Sequence, residues 1–244
     1  MKTLVDRDWS AVAAQLESRT PRHVVLDDFL TPTAAERVHK ELLQHWGWRK
    51  KNWVSAHLHN ARPRIETCAC IATEFIQAAG PVIDGLEICD YWALLYPKNS
   101  TGNVHADAGR LTLTLWLTPD RHNLTAGTGG LVLYDVNRHP SQMLREYLVP
   151  PASVHYVRKH SAGNHIHIPY RWNRAVLFDA TTFHRTDDLH FDIAAGMHAA
   201  RMNLSFAIDN LAEYYEQFER DGRREKHASE SAPAASADEA YEPE

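Results

Sequence analysis

Between residues 111 and 117 the chain reads Leu-Thr-Leu-Thr-Leu-Trp-Leu. So strict a two-residue alternation suits an extended strand with one apolar face, because a helix would scatter the four leucines around its circumference. Leu111, Leu113, Leu115 and Leu117 share one side, and Thr112, Thr114 and Trp116 share the other, which is suited to a site. From about residue 86 the same texture recurs in short apolar runs divided by Gly, Asn, Pro and Asp: LEICDYWALLYP, GGLVLYD, NHIHIPY, NRAVLFD and RMNLSFAID. Such runs read as strands joined by turns.

The segment ahead of them has helical texture. DRDWSAVAAQLES (6–18) suits a short amphipathic helix, and HVVLDDFL suits a strand entering a turn. TPTAAERVHKELLQHW suits a longer helix: Thr31 can cap it, Pro32 can take the first helical position, and Ala34, Val38 and Leu42, with Ala35 and Trp46, recur at helical spacing. Thr33 to Glu36 forms a competing capping box, which leaves the start open by two residues. Six or more short strands behind a helical layer predict a mainly β fold, a jelly roll or barrel with the N-terminal helices packed against it.

Length and charge set the limits. The 244 residues, 44% hydrophobic and 23% charged, suffice for one core. Residues 221–244 are rich in Ala, Ser, Glu and Pro and hold seven acids against three bases, so a disordered acidic tail is expected behind a single domain at 1–220. The body then carries 24 acids and 23 bases. Nucleic acid is not an expected partner, because phosphate binding needs clustered positive charge. The run HWGWRKKNW, which interleaves Trp46, Trp48 and Trp53 with Arg49, Lys50 and Lys51, is the exception that keeps that alternative open; its other reading is a solvated helix exit with the tryptophans in the core. Three cysteines (Cys68, Cys70, Cys89) cannot all pair, and MKTLVDRDWS lacks the apolar stretch of a secretion signal, so a reducing, cytoplasmic setting is expected. No uncharged apolar stretch reaches the roughly 20 residues that span a bilayer.

The chemistry centres on His105-Ala-Asp107. In extended backbone the two side chains project to one side, about 6.6 Å apart along the strand, where both can reach one metal. With 16 histidines an HxD arises about once by chance, and His190-Phe-Asp192 is a second, while His39-Lys-Glu41 sits on the amphipathic helix as a solvated face. Order decides in favour of His105. Downstream lie the alternating strand, the Gly129-Gly130 hairpin signal, the strand from Ala175 to Phe178, and then Thr-Thr-Phe-His184, where a third ligand near the end of a later strand would complete a two-histidine, one-carboxylate set with open coordination positions. Arg201 opens the next apolar strand, and a cation buried there requires an anionic partner.

On these residues the chain resembles the 2-oxoglutarate and Fe(II)-dependent oxygenases, in particular their prolyl-4-hydroxylase-like branch. HVVLDDFLTPTAAERVHKELLQHWGW, YPKNSTGNVHAD and NRAVLFDATTFHRTD carry the likeness, which spans roughly residues 23–210. The resemblance implies a double-stranded β-helix (jelly-roll) core with the N-terminal helices on its major sheet. It further implies His105, Asp107 and His184 as iron ligands and Arg201 as the anchor for the distal carboxylate of 2-oxoglutarate. Tyr96, Thr114, Trp116 and Asn203 fall where such enzymes line the cosubstrate pocket. The implied activity is that of a dioxygenase using Fe(II), 2-oxoglutarate and O2, which hydroxylates an amino acid, a peptide, a protein side chain or another small molecule and releases succinate and CO2.

Two departures keep alternatives in view. The interval from His184 to Arg201 is long, so RTDDLHFDIAAGMHAA must loop out, or else Arg185 or Arg174 must serve as anchor; Arg185 can instead pair with Asp187 or Asp188. Arg201-Met-Asn203 resembles part of the motif of the nucleic-acid demethylases of this superfamily, but Ala207 stands where that motif ends in arginine. His165-Ile-His167 would suit a cupin-like metal protein that does not use 2-oxoglutarate, although no glutamate follows it. The segment from His139 to His165 reads as a lid over the substrate.

Overall fold

The structure is a computed structural model that describes residues 2–51 and 57–220. Its N-terminal layer comprises α1 (Trp9–Ser18), β1 (His23–Leu26), α2 (Pro32–Gln44), β2 (Arg49–Lys51), β3 (His57–Ala61), α3 (Glu66–Ala78) and α4 (Gly80–Ile83). The core strands follow: β4 (Glu87–Tyr96), β5 (Leu111–Trp116) and β6 (Leu131–Asn137). Two short helices, α5 (Leu144–Tyr147) and α6 (Ala152–His160), then precede β7 (His165–Ile168), β8 (Ala175–Asp179), β9 (Thr182–Thr186) and β10 (Arg201–Asp209). A last helix, α7, occupies residues 211–220.

Seven strands form a major sheet in the order β1-β8-β5-β10-β4-β3-β2, and three form a minor sheet, β7-β6-β9. Every ladder in both is antiparallel. This is a jelly roll, as the run of short strands predicts.

Register explains how the major sheet serves two purposes. Leu204 of β10 lies opposite Ala93 of β4 and Leu115 of β5, and Phe206 opposite Tyr91 and Leu113. These even-numbered positions of β10 join Val12, Leu16, Val38, Leu42, Ile71 and Phe75 of the helices in one apolar core. Truncating a fully buried member such as Phe206 would cost roughly 3–5 kcal/mol. The odd-numbered positions, Arg201, Asn203 and Ser205, turn to the opposite face with Tyr96, Leu94 and Trp92 of β4 and with Trp116 and Thr114 of β5. That face looks across a cavity to the minor sheet.

At α2 the Thr31 side chain accepts the Ala34 N–H, and Pro32 opens the first turn, so the competing cap at Thr33 is not used. The helix ends at Gln44, and Trp46, placed by the sequence on its apolar stripe, lies beyond it and is 82% exposed. Trp48 packs partly against the core, its indole N–H donating to the Leu42 carbonyl at 2.9 Å, while Arg49, Lys50 and Lys51 form an exposed edge strand. Trp53 and the acidic tail at 221–244 lie outside the described residues. His39 is not on a solvated face: burial, reinforced by the positive fields of His198, His122 and Arg121, pushes its pKa down to about 4. Among the described residues, no helix is long and apolar enough to cross a membrane.

Gly130 shows how tightly the sheets close. A Cβ there would lie 1.9 Å from the carbonyl oxygen of Ile168 and 2.7 Å from the Tyr170 nitrogen, both backbone atoms. Gly130→Ala is therefore expected to destabilise the protein by about 3 kcal/mol, which thermal denaturation would register as a Tm lowered by roughly 6–12 °C.

Candidate active site

His105 and His184 meet because their backbones pair. The His105 N–H donates to the His184 carbonyl at 2.9 Å and the His184 N–H donates to the His105 carbonyl at 2.7 Å, an antiparallel bridge that turns both rings to one side. Their centroids lie 4.3 Å apart. Gly102, in the loop before His105, makes this approach feasible, since a Cβ at that position would come within 2.8 Å of the Thr186 backbone nitrogen on β9.

The Nδ1 atoms of His105 and His184 each lie 2.9 Å from a carbonyl oxygen, those of Asn103 and Thr182 respectively. A carbonyl can only accept, so each Nδ1 carries a proton and points away from the cluster, which leaves each Nε2 as the atom facing the other ligands. His105 Nε2 lies 3.7 Å from Asp107 Oδ1, and His184 Nε2 lies 3.6 Å from Asp107 Oδ2. One ligand atom from each of the three residues lies within 4.8 Å of the others, and all three residues are buried. Burial above all, and then the neighbouring His184, pushes the His105 pKa down to about 4 despite the opposing pull of Asp107. Two imidazoles and a carboxylate, converging on one point with their far sides fixed by hydrogen bonds, can hold a divalent transition metal as a facial triad.

Asp107 is oriented by Thr112, whose hydroxyl donates to Oδ2 at 2.8 Å. Thr112→Val keeps the shape and removes that bond, so ferrous affinity is expected to fall about 10-fold with little change in Tm. A ferrous titration of the two proteins under anaerobic conditions would measure the difference.

Deeper in the cavity lies Arg201, 2% exposed. Its Nε donates to the Gly129 carbonyl at 2.8 Å and its Nη1 to Asn203 Oδ1 at 2.8 Å, with Nη2 3.5 Å from the Gly130 carbonyl. The guanidinium carbon sits 5.1 Å from the ring centre of Tyr96 and 5.8 Å from that of Trp116. Among the described residues no carboxylate lies within ion-pair distance of it, and burial lowers its pKa. The hydrogen bonds of this buried cation go to neutral acceptors, with Asp187 acting on it through its field, and its planar fork has the geometry to pair with a carboxylate.

The other residues singled out from the sequence divide clearly. Tyr96, Thr114 and Asn203 line the same cavity as His105, Asp107, His184 and Arg201. The Tyr96 hydroxyl lies 3.2 Å from Thr186 Oγ1, and Ser205 links Asn203 to Thr114 by bonds of 3.0 and 2.9 Å. Trp116 is not part of the lining. It is fully buried and stacks on Tyr170, centroids 5.3 Å apart, backing Arg201 from behind. Its larger ring reaches the minor-sheet side of the core, where Thr114 ends at the cavity.

The rival anchors are engaged elsewhere: Arg174 pairs with Asp27, Nη2 to Oδ2 at 3.0 Å, and Arg185 lies 3.6 Å from both Asp187 and Asp188. The long segment after His184 does loop out, through turns at Ile193–Ala195 and Met197–Ala199, before Arg201 begins β10. His165 and His167 are exposed, because Ile166 and Ile168 of the same strand take the inward positions. His190 is exposed too, with Phe191 between it and Asp192 buried in the core.

Several lining residues escape sequence reasoning. His57 and His59 reach the cavity from β3, whose pairing places His59 opposite Leu94. Their alternation was a signal, but a short polar strand is indistinguishable from a loop in sequence. Leu144 and Leu148 enter from the segment read as a lid, and Tyr214 and Phe218 from α7.

No family model matches the sequence, and neither does any curated protein. Solved structures do. A prolyl-4-hydroxylase from Pseudomonas putida superposes with a TM-score of 0.57 at 13% identity, over 83% of this chain and 99% of that one. The epimerase SnoN, in complex with Fe3+, alpha-ketoglutarate and nogalamycin RO, gives 0.59 at 13%, covering 83% of both chains. The non-heme alpha-ketoglutarate-dependent carbocyclase SnoK of nogalamycin biosynthesis gives 0.59 at 15%, over 91% of this chain and 90% of that one. The prolyl-4-hydroxylase-like branch is thus one of several that the structure matches. The chain shares the jelly-roll fold of these solved structures.

Proposed function

We propose that this protein is a non-haem Fe(II)- and 2-oxoglutarate-dependent dioxygenase. The observation that carries the proposal is the conjunction, in one cavity, of a His105–Asp107–His184 cluster with a buried guanidinium that forms no ion pair with any carboxylate among the described residues. A metal triad by itself would equally suit a cupin, and a buried arginine by itself would suit any anion. Together they match the two ends of a keto-dicarboxylate, one end chelating a metal and the other needing a fixed cation.

In this reading His105, Asp107 and His184 hold the iron, and Arg201 takes the distal carboxylate of 2-oxoglutarate. Tyr96, Thr114 and Asn203 border the chain between them. When bound, ferrous iron and 2-oxoglutarate supply the oxidising chemistry, in which one atom of O2 enters succinate, the other enters the substrate, and CO2 leaves. The protein's part is positional. Asn103 and Thr182 fix the imidazole tautomers, Thr112 fixes the carboxylate, and Leu94, Leu131 and Phe178 exclude water from the wall between the metal site and Arg201.

Hydroxylation is the simplest outcome of that chemistry. The sequence resemblance favours an amino acid, a peptide or a protein side chain as the substrate, while the SnoN complex holds a small molecule in the same fold. Uncoupled turnover tests the proposal without knowledge of the substrate. Aerobic protein given Fe(II) and 2-oxoglutarate is expected to release succinate slowly, and the release is expected to stop on chelation of the iron. Succinate release that survives exhaustive chelation would refute the assignment.

A further inference from the structure

The cavity has two ends, and the second is chemically unlike the first. Along β4 the cavity-facing residues run from Tyr96, opposite Arg201, through Leu94 to Trp92, opposite Ser205. Four residues of strand separate Tyr96 from Trp92, or about 13 Å. A dicarboxylate seated on Arg201 leaves the space above Trp92 to a substrate. There the wall comprises Trp92, Tyr214, Phe218, Leu144 and Leu148.

Charge is nearly missing from this end. Among the described residues that line the cavity, Arg201 is the sole Lys or Arg, and it lies at the other end. Asp90 is the sole carboxylate besides Asp107, and its Oδ1 already accepts the Arg62 Nε at 2.7 Å and the Tyr91 N–H at 2.8 Å. The other polar groups of the lining are uncharged hydroxyls and amides, Ser205 opposite Trp92 among them, and the imidazoles of His57, beside Tyr96, and His59, opposite Leu94. Burial, then the fields of His57 and Lys51, pushes the His59 pKa down to about 4, so its ring is neutral at pH 7. A free amino acid entering here would bring a carboxylate that finds no Lys or Arg, and an ammonium that finds no unpaired carboxylate, among the described residues lining this end, and desolvating either without a partner is unfavourable.

We propose, building on the oxygenase reading above, that the substrate is an uncharged, ring-bearing small molecule that stacks on Trp92, Tyr214 and Phe218. Aromatic faces favour offset and edge contacts with a planar guest. Zwitterionic amino acids are disfavoured as substrates on the same grounds.

Three probes with one ring and different charge separate the possibilities: 2-naphthol, 2-naphthoate and 2-naphthylmethylammonium, titrated calorimetrically into the full-length protein at pH 7 with 2-oxoglutarate present. 2-Naphthol is expected to bind at least about 10-fold more tightly than either ion. Phe218→Ala removes a side chain that is 36% exposed and is expected to weaken naphthol binding about 10-fold. Leu148→Lys adds a cation to the wall and is expected to bring 2-naphthoate to within about 3-fold of 2-naphthol. Equal or tighter binding of either ion by the unaltered protein would overturn the proposal, as would the absence of naphthol binding at millimolar concentration. The absorption of the Fe(II)–2-oxoglutarate complex, recorded anaerobically on the same protein, reports the underlying reading separately. Naphthol binding without that absorption would strike the oxygenase assignment, and absorption without naphthol preference would strike only the substrate class.

Discussion

Replacing Arg201 with alanine is expected to raise the 2-oxoglutarate concentration for half-saturation by roughly 100- to 1,000-fold, while iron content stays within about 2-fold of the unaltered protein. Truncating one partner of a buried, hydrogen-bonded ion pair costs about 2–5 kcal/mol. The side chain touches no metal ligand: its bonds go to Gly129, Gly130 and Asn203, so the metal site keeps all three of its groups. Arg201→Lys is the informative companion. It retains the charge but loses the planar fork, and is expected to recover only part of the affinity. Equilibrium titration of 2-oxoglutarate against iron-loaded protein measures both. Unchanged affinity in Arg201→Ala would remove the anchor from the account.

His184→Ala should fail in the opposite order. It deletes one of three ligands, and because altering a group that merely orients a ligand already costs 10- to 100-fold in metal affinity, the loss of a ligand is expected to exceed about 100-fold. Turnover then disappears because the metal is absent. The backbone bridge between residues 105 and 184 survives the substitution, so the fold is expected to persist and circular dichroism to be unchanged. Metal analysis after desalting would show depleted iron, whereas retention of stoichiometric iron would exclude His184 as a ligand.

Much of the fold is legible in local sequence because alternation is a local property. Leu111 to Leu117 declares both faces of β5 without reference to any other strand, and the helix-facing and cavity-facing sides follow from it. The cap of α2 is equally local, resting on Thr31 and Pro32. Trp46 continues the helical spacing of Ala35 and Leu42 but lies two residues past the end of α2, and Gly47 beside it is the local mark of the exit. His39 shows a different limit. Its position on α2 is visible, but the turns carrying His122 and His198 cover it, and that covering is a tertiary event.

The site was legible to the extent that its parts have distinctive chemistry in a distinctive order. His105, Asp107, His184 and Arg201 are separated widely along the chain yet lie in one cavity, as that order implies. Thr112 acts through a hydrogen bond that exists only once the loop carrying Asp107 has folded back on β5, while the Asn103 carbonyl holds His105 through a turn within that loop that no residue type in it announces. The substrate end was the least legible. Trp92, Tyr214 and Phe218 look like ordinary core aromatics in sequence, and only the meeting of β4 with α7 gathers them around an opening.

The most direct measurement on the central claim is the anaerobic absorption spectrum of the full-length protein with Fe(II) and 2-oxoglutarate. The account expects a visible metal-to-ligand band that needs both components, saturates at one equivalent of iron, and weakens at subsaturating 2-oxoglutarate when Arg201 is replaced by alanine. Full iron and 2-oxoglutarate occupancy without that band, or a band that persists unchanged in His184→Ala, would contradict it.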